Sequence, residues 1–161
     1  MRKLLGILLL CLPLWASAAS PSIDLVRVIK SERKLQLISE GKILHEFKVS
    51  LGGNPNGHKI QEGDERTPEG LYKLDYKKAD SAFHKAFHIS YPNAQDIAAA
   101  KSRDVNPGGN IMIHGQKNGL GWLSSISQRF DWTNGCIALT DSEIDVMWEQ
   151  VKEGTAVEIS P

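Results

Sequence analysis

Two side chains in this sequence could do covalent chemistry together. Cys136 stands in Thr133-Asn134-Gly135-Cys136-Ile137, and His114 closes Ile111-Met112-Ile113-His114-Gly115. Thiol catalysis needs a thiolate, a base to make it, and donors for the oxyanion that develops. Cys136 offers the thiol. His114 ends an apolar run and is followed by Gly115, so its ring can project at a strand end, where an imidazole lowers a thiol's pKa or takes its proton. Gly135 lets the backbone turn tightly and frees the Cys136 N–H for an oxyanion. Spacing alone does not settle the matter, because many folds bring Cys and His together and a free cysteine is often just a small core residue. The other histidines, His45, His58, His84 and His88, have no cysteine or carboxylate cluster at metal spacing, so no zinc site, other metal or cofactor is expected.

The elements that must position this pair belong to one domain. The chain has 161 residues, 41% hydrophobic and 24% charged, which fits a globular protein with a real core. Its 19 basic and 19 acidic residues balance, and no Lys/Arg run stands out, which argues against a nucleic-acid partner. The opening MRKLLGILLLCLPLWASA has a basic start, an apolar run from Leu4 to Trp15, and small residues at Ala16 and Ala18. That is the pattern of a secretory signal. The apolar run is short for a membrane span, which needs about 20 residues. The expectation is a signal peptide over 1–18, cleaved, a mature domain over 19–161, and no stable span afterwards. Cleavage removes Cys11 and leaves Cys136 alone in an oxidising compartment where structural cysteines pair. A lone thiol there is either buried and inert or kept for chemistry.

Along the mature chain, apolar residues alternate at Leu25, Val28, Leu35, Leu37, Ile43, Phe47 and Val49, predicting a three-strand meander. Asn54 to Gly70 is rich in Gly, Pro and Asn and reads as a long functional loop, followed by a strand at Leu71–Tyr76. A short helix is expected over Asn93–Arg103, a buried strand at Ile111–Ile113, and a second polar loop over Gly115–Trp132. Thr140 and Glu143 have capping-box spacing, and Ile144, Met147, Trp148 and Val151 line one apolar face, with Gly154 as the stop. Thr155 to Ile159 closes the chain as a strand. The class is mostly β with a few short helices.

Ile113-His114-Gly115 followed by Thr133-Asn134-Gly135-Cys136-Ile137-Ala138-Leu139 resembles the YkuD-type L,D-transpeptidase signature, a His-Gly at a strand end and then [Ser/Thr]-x-Gly-Cys-hydrophobic after a loop. Arg66-Thr67-Pro68-Glu69-Gly70-Leu71-Tyr72 is similar to the family's Thr-Pro-x-Gly-x-Tyr/Phe element, and the likeness runs from about Leu25 to Ile159. The resemblance implies a single β-rich, sandwich-like catalytic domain acting in the periplasm on peptidoglycan stem peptides. It implies Cys136 as nucleophile, His114 as general base and later proton donor, the Gly115 carbonyl as orienter of the imidazole, Thr133 at the motif's hydroxyl position, and N–H groups around Gly135 and Cys136 as the oxyanion site. The cysteine attacks the carbonyl before a terminal D-Ala, D-Ala leaves, and an amine resolves the thioester.

The sequence departs from that pattern in three places. Asn134 stands where His is frequent, the loop from His114 to Cys136 is long, and Ala138 replaces an Arg or Asn common after the cysteine. An Arg there would hold a stem carboxylate through two hydrogen bonds. Gly-Cys-x-Ala-x-Thr also resembles a branch of the superfamily that hydrolyses peptidoglycan–lipoprotein links. The readings therefore are a transpeptidase, an L,D-amidase or hydrolase acting on cross-links or on an envelope lipoprotein, and a catalytically silent peptidoglycan-binding module. The loop residues His58, Lys59, Glu62, Asp64 and Arg66, with Asn134 and Trp132 beside the motif, are candidates to line the substrate cleft, and Trp122 is a candidate lid. A catalytic Cys136 is expected to alkylate faster than a free cysteine near neutral pH.

Overall fold

A computed structural model describes residues 22–161. The expected signal segment 1–18 and Cys11 lie outside the described residues. Strands β1 (Leu25–Ile29), β2 (Lys34–Ser39) and β3 (Lys42–Lys48) form the antiparallel meander that the alternation predicts. Val26, Val28, Leu35 and Leu37 are buried. The phase differs from the reading at two residues. On β1 the inward positions are 26 and 28, so Leu25 is only half-buried. On β3, Ile43 is exposed, because β3 is an edge strand and its register with β2 shifts between Leu37 and Ile38.

Five more strands follow: β4 (Gly70–Lys78), β5 (Ala86–Ile89), β6 (Met112–His114), β7 (Ile137–Ala138) and β8 (Ala156–Ser160). The order is β3-β2-β1-β8-β4-β5-β6-β7. β4 pairs with β8 on one side and β5 on the other, and a register shift between Leu74 and Tyr76 marks the place where the sheet curls. β5 and β7 are absent from the sequence reading. At four and two residues they are too short for periodicity to register. The core, including Leu35, Leu74, Phe87, Ile113 and Met147, is one continuous cluster.

Helix α1 (Ala94–Ser102) starts on a capping box between Asn93 and Asp96. Helix α2 (Ser124–Ser127) follows a 3-10 turn at Gly121–Leu123, so the expected loop over 115–132 contains helical structure. Helix α3 (Asp141–Gln150) carries the predicted Thr140–Glu143 box and buries Ile144 and Met147. It ends at Gln150. Val151 is extended and buried, already on the return path, and Gly154 (φ +86°) serves that later turn rather than stopping the helix.

Segment 54–69 has no helix or strand, as expected. It is pinned from below by Lys30. The buried Lys30 Nζ donates to the carbonyls of Gly57 (2.7 Å) and Thr67 (2.9 Å) and to the Glu69 carboxylate (2.8 Å). A buried ammonium is tolerated only when its donors are used in this way.

Candidate active site

β6 and β7 are parallel neighbours, with Ile113 opposite Ile137 and His114 opposite Ala138. The pairing places Cys136, one residue before β7, beside the start of β6. There the Met112 N–H donates to Cys136 Sγ at 3.4 Å, and the thiol points to the Asn110 carbonyl at 3.7 Å. His114 lies two residues further along β6.

The imidazole has a defined tautomer. His114 Nδ1 lies 2.6 Å from the Gly115 carbonyl oxygen. A carbonyl only accepts, so Nδ1 carries the proton and Nε2 is the basic nitrogen. Phe83 packs on the ring at 4.1 Å between centroids, and Trp132 meets it edge-on at 6.0 Å. Gly115 lets this strand end approach its neighbour, since a Cβ there would lie 2.5 Å from the His84 carbonyl oxygen.

Burial acts on both partners in the same sense. It pushes the Cys136 thiol up, and the Met112 N–H and the Lys59 charge only partly pull it back. Burial holds His114 below the ordinary imidazole range against the Gly115 hydrogen bond. The resting pair is therefore neutral thiol and neutral imidazole.

The turn before the cysteine is fixed by Thr133. Its hydroxyl donates to the Cys136 carbonyl (2.7 Å) and accepts from the Gly135 N–H (3.1 Å). This narrows one expectation: the Gly135 N–H is used inside the turn and does not face outward for an oxyanion. Gly135 itself has φ +119°, and a Cβ would sit 2.6 Å from the Arg66 carbonyl oxygen, so no other residue fits.

A cleft of about 430 Å3 is lined by Lys59, Glu62, Glu65, Gly108, Ile111 and Asn134, which stands two residues before Cys136 in the chain; neither Cys136 nor His114 lines it. The Lys59 ammonium is buried, donating to Asp64 (2.8 Å) and the Gln61 carbonyl (3.1 Å). Burial alone would push the Asp64 carboxyl up. Lys59 and the N–H groups of Ile60, Arg66 and Gln61 outweigh that and hold it at about 2. Arg66, expected in the cleft, is not among its lining residues. Its guanidinium reaches the His58 carbonyl at 3.4 Å, and its Nε is buried without a partner. His58 is tied to the fold, taking the Glu69 N–H on Nδ1 (2.9 Å) and facing Asp96 through Nε2 (3.1 Å). A larger hollow of about 970 Å3 lies between α1 and the end of β8, and like the smaller cleft it is lined by neither Cys136 nor His114. The smaller cleft is the one with site neighbours in its wall: Asn134 belongs to the turn before Cys136, and Ile111 precedes Met112, whose N–H bonds the thiol. Ala138 is buried in β7, where its carbonyl and N–H both bond Ser50, so no side chain there reaches for a carboxylate.

The Met112 N–H, the Asn110 carbonyl and the Phe83 ring were missed by the sequence reading. The first two are backbone groups, and only the strand ending in His114 hinted at them. Phe83 gave no signal. Among the described residues no three His, Cys, Asp or Glu group to hold a metal, and the other histidines are engaged: His84 with Asp145, His88 with Asp75, His45 with Gln150.

The curled β-rich domain thus holds a tautomer-locked His114 at the end of β6 and Cys136 one residue before β7, its parallel neighbour. The model of the YkuD family, the L,D-transpeptidase catalytic domain, matches residues 23–159, and the chain belongs to that family. YafK of Escherichia coli (strain K12) is 30% identical over 112 residues, covering 66% of this chain and 44% of YafK. The solved structure of the helical cell shape determining protein Pgp2 from Campylobacter jejuni aligns with a TM-score of 0.64 at 27% identity, covering 87% of this chain and 48% of Pgp2. The L,D-transpeptidase from Xylanimonas cellulosilytica shares the fold, with a TM-score of 0.58 at 15% identity, covering 89% of this chain and 63% of that one. The chain thus spans less than half of YafK and about half of Pgp2.

Proposed function

We propose that this chain is a periplasmic, cysteine-dependent acyl-transfer enzyme acting on peptidoglycan stem peptides. The observation that carries the reading is the His114 tautomer, locked by the Gly115 carbonyl at 2.6 Å, on the strand next to the only free cysteine among the described residues. Nε2 takes the thiol proton as Cys136 Sγ attacks the carbonyl that precedes the terminal D-Ala. The new C–S bond places negative charge on the carbonyl oxygen, which the Cys136 N–H receives. The C–N bond then breaks, His114 returns its proton to the leaving D-Ala amine, and a thioester remains. An acceptor amine attacks that thioester, His114 takes the amine's proton, and the thiol leaves with it. Because burial opposes both charges, the proton moves only when substrate arrives.

A second reading has one specific observation behind it. Ala138 supplies no cation where many members carry Arg, so the stem carboxylate lacks that anchor and water can take the acceptor's place. The enzyme is then a hydrolase of cross-links or of peptidoglycan–lipoprotein links. Mass spectrometry separates the two. The chain and a Cys136→Ala control are incubated with tetrapeptide muropeptides, and separately with sacculi that carry bound lipoprotein. Cross-linked dimers with released D-Ala, absent in the control, establish transfer. Released lipoprotein or lost cross-links without dimers establish hydrolysis. No thiol-dependent product in either arm leaves a silent binding module and removes both enzymatic readings.

A further inference from the structure

Among the described residues the His114 imidazole makes one hydrogen bond, from Nδ1 to the Gly115 carbonyl oxygen at 2.6 Å. One such bond secures an orientation by only about two- to tenfold, net of water. Turning the imidazole over about its Cβ–Cγ bond would put a ring carbon where Nε2 stands, and a carbon takes no proton. The base therefore needs a second restraint. Phe83 lies against the face of the ring, with centroids 4.1 Å apart and planes tilted by 33°. Trp132 meets both rings, His114 at 6.0 Å and Phe83 at 6.1 Å, so the three close a triangle. An imidazole held on its face by one neighbour and at its edge by another must displace one of them to turn over.

Phe83 is placed by a backbone clip between residues 81–84 and 115–118. The His84 N–H donates to the Gln116 carbonyl (2.8 Å), the Gly115 N–H to the His84 carbonyl (3.0 Å), and the Asn118 N–H to the Ala82 carbonyl (3.2 Å). Phe83 itself bridges to Lys117, and its N–H donates to the Ser81 hydroxyl at 3.1 Å. The far side of the clip is fixed in turn. Gln116 donates its N–H to Asp141 (2.8 Å) and its side-chain amide to the Leu139 carbonyl (2.6 Å). Residues 115–118 follow β6 directly, so the histidine and the ring that faces it are registered on one length of chain. Phe83 is only half-buried and lies outside the continuous hydrophobic core. Its flat face meets the histidine and not the sheet.

We propose that Phe83 is a positioning residue for the thiol chemistry: its ring, seated on His114 and held by the clip, keeps Nε2 instead of a ring carbon turned to the nucleophile. The kinetic consequence rests on the acyl-transfer reading of the site, whereas the orientation of the ring is a property of the resting protein. A flat side chain is what the task requires. An aliphatic one fills the volume but presents no plane, and it leaves the imidazole free to tilt and turn.

The test compares Phe83→Leu with Phe83→Tyr, which keeps the flat face. In the resting protein the nitrogen NMR resonances of the His114 ring report its tautomer. The parent and Phe83→Tyr should show a protonated Nδ1 and a bare Nε2, and Phe83→Leu a mixed pattern. In the muropeptide assay Phe83→Leu should lower kcat by about tenfold to a hundredfold, the scale of a misplaced catalytic group, with KM unchanged and with Phe83→Tyr restoring the rate. On a His114→Gln background Phe83→Leu should cost nothing further, because the ring acts through the imidazole. An undisturbed tautomer in Phe83→Leu overturns the inference whatever the turnover, and so does an unchanged kcat beside a disturbed one. An equal loss of rate with and without His114 also overturns it and makes Phe83 a structural residue only. Should Phe83→Leu not fold, Phe83→Met is read in the same way. A tautomer that depends on Phe83 in a protein with no thiol-dependent product defeats the proposed chemistry and leaves the orienting contact standing.

Discussion

The reactivity of Cys136 is set by a contest between burial, which favours the thiol, and two weaker influences, which favour the thiolate. The direction of that shift runs against fast alkylation near neutral pH. The rate of reaction with iodoacetamide should be low at pH 7 and should rise with pH through a midpoint above that of an ordinary cysteine. Lys59→Met should move the midpoint higher still; an unmoved profile in a folded variant would show that the Lys59 ammonium exerts no field on the sulfur. His114→Gln should cut thiol-dependent turnover by roughly 100- to 10,000-fold, the usual contribution of a general base, in a muropeptide assay at fixed pH. The neighbourhood of Cys136 and His114 was legible in the sequence because the motif around each names its residue type, and β6 and β7 do place them at neighbouring strand ends. The direction of Arg66, toward the His58 carbonyl and away from the cleft's lining, was not legible because a loop's side-chain directions are not encoded in any period. The Gly135 N–H was misassigned because the Thr133 hydroxyl competes for it, a local bond that the motif contains but does not advertise.

The long loop over 54–69 and the turn at 133–136 are elements made by side-chain bonds instead of a backbone ladder. Thr133→Val keeps the shape of the side chain and removes both of its hydrogen bonds, leaving the buried Gly135 N–H unpaired. It should lower stability by about 1–3 kcal/mol in a urea melt and depress turnover further through a loosened cysteine. Asp64 organises the other loop. Its depressed carboxyl contributes stability that is present above the ordinary aspartate range and is lost as pH falls through about 2. Asp64→Asn should abolish that acid-dependent part and strand the buried Lys59 charge, at a cost of roughly 3–5 kcal/mol, readable by calorimetry from pH 7 down to pH 2. The start of helix α3 was legible because its cap and its apolar face agree, but its end was not: the helix stops at Gln150, before Val151 and well short of Gly154. β5 and β7 were not, since strands that short are chosen by their neighbours and carry no alternation of their own.

At the scale of the whole molecule, β8 is the seam of the sheet. It pairs parallel with β1 from Leu25 opposite Ala156 to Ile29 opposite Ser160, and antiparallel with β4 from Gly70 opposite Ile159 to Lys73 opposite Ala156. Ile159→Ala should cost about 2–5 kcal/mol by chemical denaturation, whereas Glu158→Ala, which loses only a half-exposed ion pair with Arg27, should cost no more than about 1 kcal/mol. The meander and the closing strand were each legible, but their parallel union was not, because no local pattern records which distant strand fills a gap. That union orders events in time. A strand written near the end of the sequence is required in the middle of the sheet, so the early meander and the strands that carry His114 and Cys136 have no common scaffold while the chain is being made. Long-range pairing of this kind slows folding. The meander and the β4–β7 half of the sheet can join only through β8, so the complete sheet is expected to form only after residues 156–160 are available. Joining of the two halves should therefore be the slow step of folding, and Ile159→Ala should slow refolding in stopped-flow measurements more than Glu158→Ala does.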